Sequence, residues 1–223
     1  MTGSALPPSC VERPRVPCSL QSAEPALLEA DLHAPLPALR AATRGHHDRL
    51  DRLMDLRRLG ERTRYASVLQ VFDRFLPAWE SAVLAALPAV RHPWLQARTR
   101  RHFVARDLQA LGIAASARSV QVAPMATEAA AWGSLYVMEG SALGGQVVTR
   151  ALAAHGLRPE TGAAYFHGWG ESTGAMWREF REHLERELET PEALSHACTS
   201  ACATFDSLAG LLEDALHERT AAA

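Results

Sequence analysis

Lysine is missing from this chain: all 23 basic residues among its 223 are arginines. Schiff-base formation and lysine nucleophiles are thereby excluded. A large charge of either sign is missing too. The net charge is −2, without the basic surplus that contacts to a phosphate backbone require, so no nucleic-acid partner is expected. No apolar run reaches the roughly 18 residues of a membrane helix, so no membrane span is expected. The N-terminus shows no basic stretch leading into an apolar one, so a secretory signal is not expected and a reduced, cytoplasmic setting follows. Cysteine is scarce. Cys10, Cys18, Cys198 and Cys202 make no disulfide framework. Cys198 and Cys202 stand one helical turn apart, like half of a metal site, but no partner pair has matching spacing, and small core positions explain them. Strand signals are nearly absent. Only residues 119–122 alternate, and Pro124 closes that run.

What the chain does have is helical periodicity. Seven of the 13 prolines fall within residues 1–37, so residues 1–32 read as a flexible leader. Residues 33–218 then form one domain, and 219–223 a short disordered tail. Leu39, Leu50, Leu53, Leu56 and Leu59 recur at helical spacing and predict a helix over 38–59, with Gly60 at its C-cap. Further helices are predicted over 64–87 with a bend at Pro77, over 94–111 stopping at Gly112, and over 126–154 breaking at His155-Gly156. Two more are predicted over 173–188 and 191–216, the last with Thr190 as N-cap and Pro191 in its first turn. The fold class is therefore all-α, a single-domain bundle of roughly six to eight helices.

Two segments carry chemistry. In LRAATRGHHDRLDRL, Arg40, Arg44, His47 and Asp51 follow at spacings of four, three and four, which puts them on one helix face. An imidazole can give one ring nitrogen to a metal while its other N–H meets a carboxylate one turn on. Arginines one and two turns back suit anionic groups. Heme, with its iron and two propionates, fits such a stripe, although a solvated face of mixed Arg and Asp reads the same way. His46 lies about 100° around the helix, off the stripe. In the second segment, AWGSLYVMEGSALGGQVVTRAL, Gly133, Gly140 and Gly144 are seven and four apart, and Gly145 follows. Each glycine within a helix costs about 1 kcal/mol relative to alanine. Close helix packing is one explanation. A backbone approached by a flat ligand, with room for a small second ligand beside a metal, is the other.

Together the two segments resemble the heme oxygenases. LRAATRGHH resembles the family's proximal-helix motif, which implies His47 as iron ligand and Arg40 and Arg44 as propionate contacts. LYVMEGSALGGQVV resembles the distal helix, its glycines falling on Gly140, Gly144 and Gly145, and its Glu-Gly-Ser form is similar to the bacterial branch. GWGESTGAMWREF is similar to a later helix that supplies another propionate contact, which maps to Arg178, and a heme-contacting phenylalanine maps to Phe205. Two positions depart from the pattern. Ser141 stands where many members carry an aspartate, and Glu182, next to Arg181, stands where a second basic contact is expected.

The resemblance implies opening of heme to biliverdin, Fe²⁺ and CO with O₂, heme being both substrate and cofactor. Electrons would come from an external donor, a ferredoxin or a flavoprotein reductase. Gly140, Ser141 and Gly144 would form the distal side, Ser141 and nearby carbonyls holding the water that delivers a proton. A bilin-accepting phytochrome or iron acquisition would be the biological use. The Ser141 departure leaves a catalytically silent heme-binding or heme-transfer protein on the same fold as the alternative, with a helical scaffold without heme behind it. Arg98, Arg100 and Arg101 are expected on a solvated face rather than in a docking patch.

Overall fold

The computed structural model describes residues 34–116 and 118–220, with side chains to 218. The proline-rich leader, Cys10, Cys18 and residues 221–223 lie outside the described residues. Eight α-helices follow in order among them: α1 (Pro35–Met54), α2 (Arg62–Ala86), α3 (His92–Gln96), α4 (Arg101–Leu111), α5 (Glu128–Ala153), α6 (Ala164–His167), α7 (Thr173–Glu187) and α8 (Pro191–Thr220). The described residues contain no strand, 119–122 included. None of these helices is long and apolar enough to cross a membrane.

Helix ends follow local chemistry. The Thr127 hydroxyl accepts the Ala130 N–H at 3.1 Å and caps α5. Thr190 does the same for Ala193 at 3.1 Å, ahead of Pro191, as the sequence predicts. Gly112 ends α4 in the left-handed region at φ 63°, a conformation that costs glycine nothing. Two boundaries differ from expectation. Helix α1 stops at Met54 rather than at 59, because Asp55 turns left-handed (φ 43°) while its N–H closes on Asp51 O. The three-residue leucine spacing runs on past this break, but it also suits the turns that follow, where Leu59 is buried and Leu56 exposed. The helix expected over 94–111 is instead two, α3 and α4. No glycine or proline marks the interruption at residues 97–100; it accompanies the turning inward of Arg98 and Arg100.

Helix α8 organises the bundle. Both α1 and α5 pack along it, in the two most extensive helix contacts of the fold. The approach of α5 is close enough that a Cβ on Gly133 would lie 2.0 Å from the Ala197 carbonyl oxygen of α8. A buried polar chain crosses the same region. Trp79 Nε1 donates to Ser134 Oγ (2.8 Å), Ser134 pairs with Thr204 (2.7 Å), and Thr204 donates to Ser200 O (2.8 Å). This links α2, α5 and α8 with each polar group satisfied. Helix α1 is oriented on α8 by Arg49, which forks onto Glu213 at 3.1 and 2.8 Å, and by His46 Nδ1 at 2.8 Å from Asp206. Cys202 Sγ donates to Ala42 O at 3.5 Å and Cys198 is half-buried, so both serve the α8 packing surface. No cluster of three or more metal-binding side chains occurs among the described residues. On the far side of α5, the buried Asp107 accepts the N–H groups of Ala164 (2.7 Å) and Tyr165 (2.8 Å) and so fixes α6.

The Gly133 contact is backbone against backbone, so a side chain cannot be absorbed by a rotamer change. Gly133→Ala is expected to lose about 3 kcal/mol or more despite alanine's better helix propensity, read as a lower midpoint in urea or thermal unfolding.

Candidate functional site

The stripe predicted on the first helix lies at the surface. Arg40, Arg44, His47 and Asp51 are all exposed on α1. His47 Nδ1 lies 3.1 Å from Asp51 Oδ2, and the His47 side chain is 59% exposed. Its Nε2 has no hydrogen-bond partner among the described residues. The imidazole meets Phe205 of α8 edge-on, ring centroids 5.8 Å apart at 62°. Phe205 is itself buried, so the core reaches up to one side of His47 and leaves the rest of the ring accessible. Its neighbour His46 is turned to Asp206 on α8, which separates the two histidines in role: one ties helices together and the other is presented.

The glycines of α5 divide between the two explanations. Gly133 and Gly145 are buried packing glycines. A Cβ on Gly145 would lie 2.2 Å from the Phe166 carbonyl oxygen of α6. Gly133, which the spacing puts on one face with Gly140 and Gly144, is thus covered by α8, and Gly145, a heme contact by the resemblance, is turned about 100° inward from Gly144 and packs on α6. Among the described residues nothing lies within 4 Å of a Cβ added at Gly144, and at Gly140 only the Trp177 ring approaches, at 3.9 Å. Leu143 (43% exposed) and Val147 (49%) complete a stripe with these two, at the i, i+3, i+4, i+7 spacing of a single helix face. An exposed stripe of two large aliphatics and two glycines is an apolar surface on which flat matter can approach the backbone.

Arg178 of α7 is exposed, and like Arg40 and Arg44 it engages no carboxylate among the described residues. Arg181 is half-buried with an unpartnered Nε, and Glu182 is exposed.

Sequence reasoning missed Arg98 and Arg100. Both are buried, which corrects their assignment to a solvated face; Arg101 alone is exposed. Arg98 donates to Glu139 (2.6 Å), to Glu179 (2.8 Å) and to Met176 O (3.1 Å), with its guanidinium 4.3 Å from the Trp94 ring centroid. It ties α5 to α7 where Trp177 faces Gly140. Burial pushes the Glu139 carboxyl up from its ordinary value, and the Arg98 charge opposes that shift. Arg100 donates from Nη2 to Met138 O and to Ser141 Oγ, both at 2.7 Å. Ser141, exposed at the edge of the glycine stripe, donates in turn to Met138 O at 2.8 Å. The only signal in the sequence was on the other side of these contacts. Glu139 and Ser141 interrupt an apolar helix, and polar groups in such places need partners.

Comparison with known proteins identifies the family. The family model described as Heme oxygenase matches residues 35–214. A heme oxygenase of Xanthomonas campestris pv. campestris (strain 8004) is 34% identical over 143 residues, covering 63% of this chain and 84% of that protein. The solved heme oxygenase of Neisseria meningitidis, studied in NO- and CO-bound forms, superposes with a TM-score of 0.68 at 26% identity, over 82% of this chain and 92% of that one. The family match runs from the start of α1 into α8, so both exposed faces and the helix that carries them fall within it, and the chain belongs to the heme oxygenase family.

Proposed function

We propose that this heme oxygenase holds its substrate between the His47 face of α1 and the Gly140 and Gly144 face of α5, with His47 Nε2 on the iron. The observation that carries the reading is the presented imidazole: Nδ1 toward Asp51, Nε2 free. A neutral histidine ligates through a lone pair only when its other nitrogen keeps the proton, and Asp51 is placed to accept that N–H. Phe205 steadies the ring. The chemistry of the α5 face fits the same group. Leu143 and Val147 offer apolar surface to a macrocycle, and the two glycines let it approach. Arg40, Arg44 and Arg178 have no carboxylate of their own among the described residues and are free to meet the two propionates.

Bound heme supplies the iron chemistry and is also the carbon skeleton opened, with O₂, to biliverdin, Fe²⁺ and CO. The chain's residues hold, orient and shield it. Gly140 and Gly144 keep side chains off the distal side, so a small co-substrate fits there. Ser141 and the carbonyls beside it hold a water that hands on a proton. Electrons enter from an external ferredoxin or flavoprotein reductase, in the cytoplasm. The biliverdin serves a bilin-accepting phytochrome or leaves as the by-product of iron release.

Titration with hemin is expected to give a Soret band that is lost or displaced in His47→Ala, and O₂ with a reductant should convert the wild-type spectrum to that of a bilin. A Soret band unchanged in His47→Ala would overturn the ligand assignment. Ser141→Ala should slow turnover only several-fold; a loss as complete as in His47→Ala would show that the water is held differently. The glycines give a third test. Without heme, Gly144→Ala should raise the unfolding temperature by a few degrees, since alanine gains about 1 kcal/mol of helix propensity and meets nothing, yet it should weaken heme binding or turnover. Gly145→Ala should lower the unfolding temperature instead, because of the Phe166 carbonyl.

A further inference from the structure

Arg100 is a buried cation whose charge is felt by the Glu139 and Glu80 carboxylates, neither of which contacts it directly. It is 7% exposed and forms no ion pair within 4 Å among the described residues, whereas Arg98, two residues earlier, has two carboxylates. Buried guanidinium groups are ordinarily paired, because desolvating an uncompensated charge is costly. Among the described residues, the acidic groups around Arg100 have other direct partners. From α5, Glu139 is held by Arg98. From α2, Glu80 accepts from Thr99 Oγ1 at 2.5 Å and faces Arg101 at 3.8 Å. From α6, the Tyr165 ring lies 4.9 Å under the guanidinium, and its phenol, pushed up to about 12 by burial, stays neutral. What Arg100 does contact is the rim of the open α5 face.

The contact is fully specified. Guanidinium Nη2 carries two hydrogens, and both are used, on Met138 O and on Ser141 Oγ. The Ser141 hydrogen is directed to Met138 O. A serine within a helix often bonds back to its own preceding turn, so that bond alone is unremarkable; the arginine reaching it from the α3–α4 junction is not. We propose that Arg100 is a positioning residue of the distal side: it fixes the orientation of Ser141 and places a positive charge one hydrogen bond behind the surface over which heme lies. That charge favours the deprotonated form of any group titrating on that side.

The inference rests on the placement of heme against α5. Its test is the acid-to-alkaline transition of the visible spectrum of the ferric heme complex, which reports loss of a proton on the distal side. Removing a nearby cation disfavours the deprotonated form and so moves the transition to higher pH. Arg100→Met is expected to move it upward by about one pH unit. Arg100→Lys, which keeps the charge, should stay close to wild type. Arg100→Gln can still donate to Ser141 and isolates the charge; it should follow Arg100→Met and serves in its place should the methionine variant not fold. A purely structural arginine would give no such division between charged and neutral replacements. A wild-type transition in both neutral variants, while His47→Ala still abolishes or displaces the Soret band, overturns the role of Arg100 and leaves the site reading intact. A Soret band indifferent to His47 overturns the site reading itself.

Discussion

The geometry of the site depends on the closeness with which α5 lies against α8. Gly133 has no side chain, so the two backbones touch at Ala197, and the Trp79–Ser134–Thr204 chain locks the crossing with satisfied polar groups. Helix α1 rests on the same α8 through Arg49, His46 and the small residues around Cys202. With one helix as common support, the outward faces of α1 and α5 keep a set relation without having to pack on each other. A site for a flat substrate needs this kind of support, because its two walls must stay apart.

Glycine has two distinct uses along α5. At Gly133 and Gly145 the missing Cβ admits backbone carbonyls, from Ala197 and Phe166, and these contacts set where the helix sits and how it is rotated. At Gly140 and Gly144 the missing Cβ leaves space that no described residue fills, the Trp177 ring bordering it at Gly140. The first pair fixes the orientation in which the second pair faces outward with Leu143 and Val147. Asp107 contributes at one remove, since by holding the first N–H groups of α6 it positions the Phe166 carbonyl against which Gly145 packs.

The interrupted helix between α3 and α4 has a comparable logic. A continuous helix would send Arg98 and Arg100 to different faces, because residues two apart do not share one. Breaking the chain at residues 97–100 lets both reach inward, one to Glu139 and the other to Ser141, on either side of Gly140. Arg98 also binds α7, and so holds Trp177 at the edge of the open face. Helix α5 is thus held from the loop side as well as from α8.

Much of this was legible in the sequence. The 3.6-residue periodicity gives the helices and the all-α class, the Thr190-Pro191 and Gly112 signals give helix ends, and the spacing of Arg40, Arg44, His47 and Asp51 fixes a shared face because helical geometry permits nothing else. The family follows from the order of two motifs. Other features were decided only by the folded chain. Which glycines pack and which stay open depends on what stands opposite them, and that is a neighbour distant in sequence. The end of α1 at Met54 and the break before α4 carry no glycine or proline, so local propensity was silent where long-range partners prevailed. The burial of Arg98 and Arg100 could not be read from their own segment, since arginine goes inside only where distant acceptors meet it, and those acceptors lie some 40 residues on, in α5. Sequence by itself determined the long helices and the candidate ligand; tertiary structure decided where some of them break and which of their faces are covered, because burial is a property of pairs of segments and not of either one.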